Sequence, residues 1–122
     1  MILGFGIDVV EIARLARILD GPLGERFRAR VFTIKERAYC EDHSARAVHY
    51  AGRFAAKEAL VKALGAPEGI HWRDIEVASG GAPRLATSGR AAEAMAARGA
   101  RGVHVSLSHD GGLAVAAVVL ED

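Results

Sequence analysis

SARAVHYAGRFAAKEALVKAL, residues 44–64, carries apolar side chains at Val48, Ala51, Phe54, Ala55, Leu60, Val61 and Leu64, a stripe that repeats close to the 3.6-residue period of an α-helix. Gly65 and Pro67 follow as stop signals. The stretch is thus a long amphipathic helix in mid-chain, and the elements on either side of it need an apolar face to bury against it. Upstream, residues 2–10 are apolar and β-branched towards their end, which predicts a buried strand, with Asp8 near its exit. Residues 11–19 switch to helical spacing and stop at Gly21-Pro22, and residues 24–31 and 33–42 read as two short helices. The second opens on a Thr33/Glu36 capping box.

Downstream the period changes. Residues 70–78 and 84–87 suggest two strands around Gly80-Gly81, and Ser88 is placed to cap a helix running to about Arg98. Residues 102–108 and 113–120 read as closing strands, with His109-Asp110-Gly111-Gly112 as the turn between them. Val103, Val105 and Leu107 alternate with His104, Ser106 and Ser108, giving one apolar and one polar face. The pattern is that of a single α+β domain over residues 1–122: a small antiparallel sheet packed on a long central helix, with shorter helices beside it.

Composition narrows the classes. In 122 residues, 51% are hydrophobic, 25% are charged and only three are prolines, which is enough apolar mass for one core and too little polarity for disorder. The single cysteine, Cys40, excludes a disulfide framework and a multi-cysteine zinc site, and suits a reducing cytoplasm. No apolar run reaches bilayer length and the first ten residues lack a basic flank, so a soluble, unexported protein is expected. The net charge of +1 conceals seven basic residues against three acidic ones between Ile12 and Arg37. That excess is either a solvated arginine-rich face or a surface for an acidic partner: nucleic acid, a phosphate ligand or an acidic protein. The aromatic residues do not interleave with these arginines as a nucleic-acid stacking platform would require.

Three features put hydrophilic groups where packing alone does not ask for them. Asp8, in an apolar strand, needs a cation, amide donors or a wet edge, or else it caps the following helix. Glu58 and Lys62, four apart on one face of the long helix, are either a surface ion pair or, with Asp8, a phosphoryl-transfer site. In that site two carboxylates hold one Mg²⁺ and the lysine neutralises a phosphate oxygen. Arg53 and Lys57 form a second four-residue step on the adjacent face. Ser108 and His109 offer a hydroxyl and an imidazole at a strand end, as site groups or as a solvated turn. There is no HxxxH spacing, no Gly-x-Ser-x-Gly elbow and no Walker-type phosphate loop.

Together the blocks Gly4-Phe5-Gly6-Ile7-Asp8-Val9-Val10-Glu11-Ile12 with Arg14, Arg53-Phe54-Ala55-Ala56-Lys57-Glu58-Ala59 with Lys62-Ala63-Leu64-Gly65, and His104-Val105-Ser106-Leu107-Ser108-His109 resemble the holo-acyl-carrier-protein synthases of the phosphopantetheinyl transferase superfamily. The blocks span the chain, and the central one is the most specific. The resemblance implies the following. Asp8 and Glu58 are Mg²⁺ ligands, and Lys62 lies against coenzyme A phosphates. Arg53, Ser108 and His109 line the coenzyme A cleft, with His109 also counted among the catalytic residues. Arg14 and Arg17 dock an acyl carrier protein. It further implies a cytoplasmic homotrimer with its sites between subunits. The reaction moves 4′-phosphopantetheine from coenzyme A to a carrier-protein serine, releases 3′,5′-ADP and supports fatty acid biosynthesis. Either Glu58 or a water on the cation takes the serine proton. The loop from Ala66 to Trp72 is short beside the family pattern, and no adenine contacts transfer to it. The rivals are a catalytically idle relative that only binds carrier proteins and a small basic nucleic-acid-binding domain. Retention of Asp8, Glu58 and Lys62 together argues against the idle relative.

Overall fold

The computed structural model describes residues 1–122. In chain order its elements are β1 (Ile2–Glu11), α1 (Ile12–Asp20), α2 (Gly24–Val31), α3 (Ile34–Glu41), α4 (Arg46–Ala63), a 3₁₀ turn (Trp72–Asp74), β2 (Ile75–Ala78), β3 (Arg84–Thr87), α5 (Gly89–Ala97), β4 (Gly102–Asp110) and β5 (Leu113–Glu121). The strands form two antiparallel sheets, a three-stranded one in the order β1-β5-β4 and a separate β2-β3 pair. The expected packing of a small sheet on a long helix is the observed architecture, with the β2-β3 ribbon as an addition.

The sheet can lie close on α4 because β1 carries glycine where the two backbones meet. A Cβ at Gly4 would fall on the Ala63 carbonyl oxygen, and one at Gly6 on that of Ala59. Alanine on one side and glycine on the other therefore set the spacing between strand and helix. The inner faces of β4 and β5 and the apolar side of α4 complete one core, which includes Leu60, Leu64, Ile75, Met95, Val118 and Leu120. A second cluster, under α1 to α3, gathers Leu15, Leu19, Phe32 and Tyr50.

Several expectations need correction. β1 is buried on one side only: Gly6 and Asp8 face inward, whereas Phe5, Ile7 and Val9 are more than half exposed at 59%, 51% and 54%. A strand read as an apolar run is here an edge strand with an unpartnered apolar face. Residues 70–78 hold a short strand preceded by a 3₁₀ turn. Thr33 and Glu36 do form a reciprocal capping box, but the Ser88 side chain makes no cap hydrogen bond. His109 and Asp110 belong to β4, paired with Ala114 and Leu113, so the hairpin turn is Gly111-Gly112 alone, both at positive φ (57° and 82°). That is the two-residue turn whose twist suits antiparallel strands and which glycine adopts without strain.

Candidate active site

Asp8 is carried inward by the pleat of β1 and lies beside the side of α4 that bears Glu58 and Lys62. It does not cap α1, whose N-cap is Glu11 and has no side-chain bond. Lys62 does not pair with Glu58 along the helix. Its Nζ donates to Asp8 Oδ1 at 2.8 Å and to the Ile7 carbonyl at 3.2 Å, crossing from helix to strand. The other Asp8 oxygen, Oδ2, is buried and has no hydrogen-bond partner. A buried carboxylate oxygen left bare is costly in a folded protein.

Glu58 explains the strain. Burial, and then the neighbouring Asp8 carboxylate, push the Glu58 carboxyl up to about 7, against smaller opposing effects of Lys62 and Arg14. Two carboxylates thus compete for one small space, with Lys62 bonded to one of them and Arg14 acting only through its charge. The donor set fits a hard divalent cation: two anionic oxygens converge, one of them lacks a partner, and Mg²⁺ uses one or two carboxylates and fills the remaining positions with water and substrate oxygens. No group of three or more His, Cys, Asp or Glu side chains is available to cage a metal, so an ion here would depend on oxygens from outside the protein.

Glu58 and Arg14 also line one cleft, whose walls are Val10, Leu15, Ile18, Phe27 and Phe54. Arg14 and Arg17 are exposed on α1, and Arg17 has only a distant contact with Glu11, at 3.9 Å. By contrast Arg28 and Arg37 are tied to Glu25.

The remaining candidates gather elsewhere. Arg53, Ser108 and His109 line a separate cleft with His49 and Gly52, continuous through Arg53 and His49 with a concavity formed by Tyr39 and residues 79–81. Arg53 and Glu58 are five residues apart, about 140° around the helix and about 7.5 Å along it, so α4 presents them on different sides. Arg53 is only 6% exposed. Its Nη2 donates to Ser79 Oγ at 2.8 Å, its guanidinium lies 4.2 Å from the Tyr39 ring centre, and its Nε has no partner.

Lys57, read as part of a four-residue step with Arg53, is fully buried, and so is its partner Glu36. Its Nζ donates to Glu36 Oε1 at 2.6 Å and to the Val31 and Trp72 carbonyls. Glu36 also accepts from the Val77 amide at 2.8 Å. This closed network joins α3, α4 and β2 and has no open side for a ligand. The sequence reading missed Tyr39, His49 and Ser79 as cleft residues. The available signal was His49, one helical turn before Arg53.

Comparison with known proteins places this arrangement in a class, the 4′-phosphopantetheinyl transferases. The model of the 4′-phosphopantetheinyl transferase superfamily matches residues 4–118. The chain is 60% identical to the holo-[acyl-carrier-protein] synthase of Anaeromyxobacter dehalogenans strain 2CP-C, covering 99% of this chain and 97% of that one. It is 56% identical to that of Myxococcus xanthus, over 97% and 94%. Among solved structures, the Helicobacter pylori holo-[acyl-carrier-protein] synthase in complex with coenzyme A superposes with a TM-score of 0.82 at 32% identity, covering 96% of this chain and 99% of that one. The Neisseria meningitidis enzyme gives 0.85 at 29% identity over the whole of both chains. The chain belongs to the holo-acyl-carrier-protein synthases of the 4′-phosphopantetheinyl transferase superfamily.

Proposed function

We propose that this chain transfers 4′-phosphopantetheine from coenzyme A to a serine of an apo-acyl carrier protein in a Mg²⁺-dependent reaction that releases 3′,5′-ADP and supports fatty acid biosynthesis in the cytoplasm. The observation that carries the reading is the bare, buried Asp8 Oδ2 beside Glu58 and Lys62. Asp8 and Glu58 would hold the ion, which when bound supplies positive charge to the pyrophosphate oxygens. Lys62, 56% exposed, is free to turn from Asp8 to a phosphate oxygen once another cation balances that carboxylate. In the transfer, the serine Oγ forms a bond to the β-phosphorus, the bridging bond to the 3′,5′-ADP oxygen breaks, and the serine proton passes to a nearby base. That base is either Glu58 or a water held at the site.

The Arg53 cleft suits the phosphate-bearing end of coenzyme A, with His109 and Ser108 at its rim, while exposed Arg14 and Arg17 suit the acidic face of a carrier protein. One protomer turns its carboxylate site and its arginine cleft to different sides of α4, so a complete site draws on two copies. The outward row of Phe5, Ile7 and Val9, paired with Val119, Ala117 and Val115, is an apolar surface on which those copies can meet as a homotrimer. No helix is long and apolar enough to cross a membrane.

The test is direct. With apo-carrier protein, coenzyme A and Mg²⁺, mass spectrometry should find one added phosphopantetheine group. Asp8→Ala and Glu58→Ala should each lose orders of magnitude in rate while remaining folded. Near-normal Mg²⁺-dependent transfer by either variant removes the metal assignment.

A further inference from the structure

The arginine cleft is lined by two imidazoles, His49 and His109, besides its guanidinium. His49, on α4 one turn before Arg53, lines both of its halves, and no carboxylate lines either. The His49 ring packs against His43 at 4.5 Å and Tyr39 at 5.5 Å between centres. His43 Nδ1 donates to the Tyr39 carbonyl at 2.6 Å, which fixes its tautomer. The titratable and charged groups facing His49 are Tyr39 on α3, His43 in the following turn, Arg53 on α4 itself and His109 on β4. All are neutral or cationic. Burial first, and then the charges of His43, Arg53 and His109, hold the His49 imidazole below its ordinary value. It is therefore mostly neutral near pH 7 in the empty cleft. A phosphate monoester brings close to two negative charges at that pH and reverses the sign of the field on the ring.

We propose that His49 is a ligand-binding residue of this cleft that takes up a proton as a phosphate monoester enters, so that affinity rises as pH falls through neutrality. The proposal rests on the reading that coenzyme A binds beside Arg53, and it adds a residue that the family blocks do not include. The buried, unpartnered Arg53 Nε is a second, independent mark of an anion in the same place.

Calorimetric titration with 3′,5′-ADP at pH 7.5, in Hepes and in Tris, reads the proton uptake from the difference in apparent heats. About half to one proton per site is expected for the wild-type protein, with Kd tightening by up to about tenfold per pH unit on acidification. His49→Gln should keep binding, more weakly, and lose most of that uptake, whereas His109→Gln should retain the His49 share. The ligand's own titration contributes equally to all three proteins and cancels in the comparison. His49→Asn serves the same purpose if the glutamine variant misfolds. Wild-type binding without proton uptake, or uptake unchanged in the His49 variants, overturns the role of His49 alone. Absence of any 3′,5′-ADP binding by the wild-type protein overturns the coenzyme A reading, and this inference with it.

Discussion

Replacing Glu58 by glutamine should make the metal-free protein more stable at pH 8 while abolishing its activity. A carboxyl displaced from its ordinary 4.5 to about 7 represents about 3.4 kcal/mol, at about 1.36 kcal/mol per pH unit. Glu58 is only part-buried, so solvent screening reduces the recoverable part to about 1–2 kcal/mol. The direction follows from proton binding. Between pH 4.5 and 7 the folded state holds the Glu58 proton more tightly than the unfolded chain, so stability falls as pH rises through that window. The penalty is complete above pH 7 and absent below 4.5. Urea unfolding of wild-type protein and Glu58→Gln at pH 5 and pH 8, both in EDTA, should give curves that nearly coincide at the lower pH and separate at the higher, with the variant the more stable. Millimolar Mg²⁺ should then raise the wild-type midpoint at pH 8 and leave the variant unmoved, since only a bound ligand stabilises by mass action. A variant less stable than wild type at pH 8 would refute the destabilisation of Glu58 by burial and by Asp8.

Three further outcomes follow from the packing. Gly6→Ala places a methyl on the Ala59 carbonyl, so β1 and α4 must move apart. A loss of about 1–3 kcal/mol in thermal or urea unfolding is expected, together with weaker Mg²⁺ stabilisation as Asp8 leaves Glu58. Lys57→Met strands the buried Glu36 carboxylate and should cost about 3–5 kcal/mol by urea unfolding, without altering the Mg²⁺ dependence of the residual activity. Phe5→Asp, on the outward face of β1 where the side chain is 59% exposed, should leave the protomer folded by circular dichroism. By analytical ultracentrifugation it should yield monomers, with transfer activity lost because the two half-sites no longer meet.

The helical period of α4, the capping box at Thr33 and the glycine turn of the last hairpin were legible because each depends on neighbours within four residues. What escaped the reading depends on contacts distant in sequence. Lys57 entered the reading only as a step with Arg53, yet it stands three residues after Phe54 and three before Leu60, on the apolar stripe itself. Glu36, 21 residues away, with the Val31 and Trp72 carbonyls, makes its burial tolerable, and spacing within the helix cannot reveal such partners. Glu58 and Lys62 were placed correctly on one face, but the lysine's partner proved to be Asp8, across the strand-to-helix contact that Gly4 and Gly6 permit.

The same contact underlies the proposed chemistry. An ordinary strand side chain at position 6 would hold the helix off and let water between Asp8 and Glu58, relieving their repulsion and with it the demand for a cation. The glycines that weaken β1 as a strand are thus what keep the two carboxylates close. The separation of Arg53 from Glu58 was also open to inspection, since five residues along a helix cannot share a face. Taken with the unpartnered apolar row on β1, that spacing leaves a lone protomer with two half-sites on different sides of one helix. The proposed pairing of half-sites makes activity depend on concentration: dilution below the dissociation constant between copies should lower the specific activity even of the intact protein.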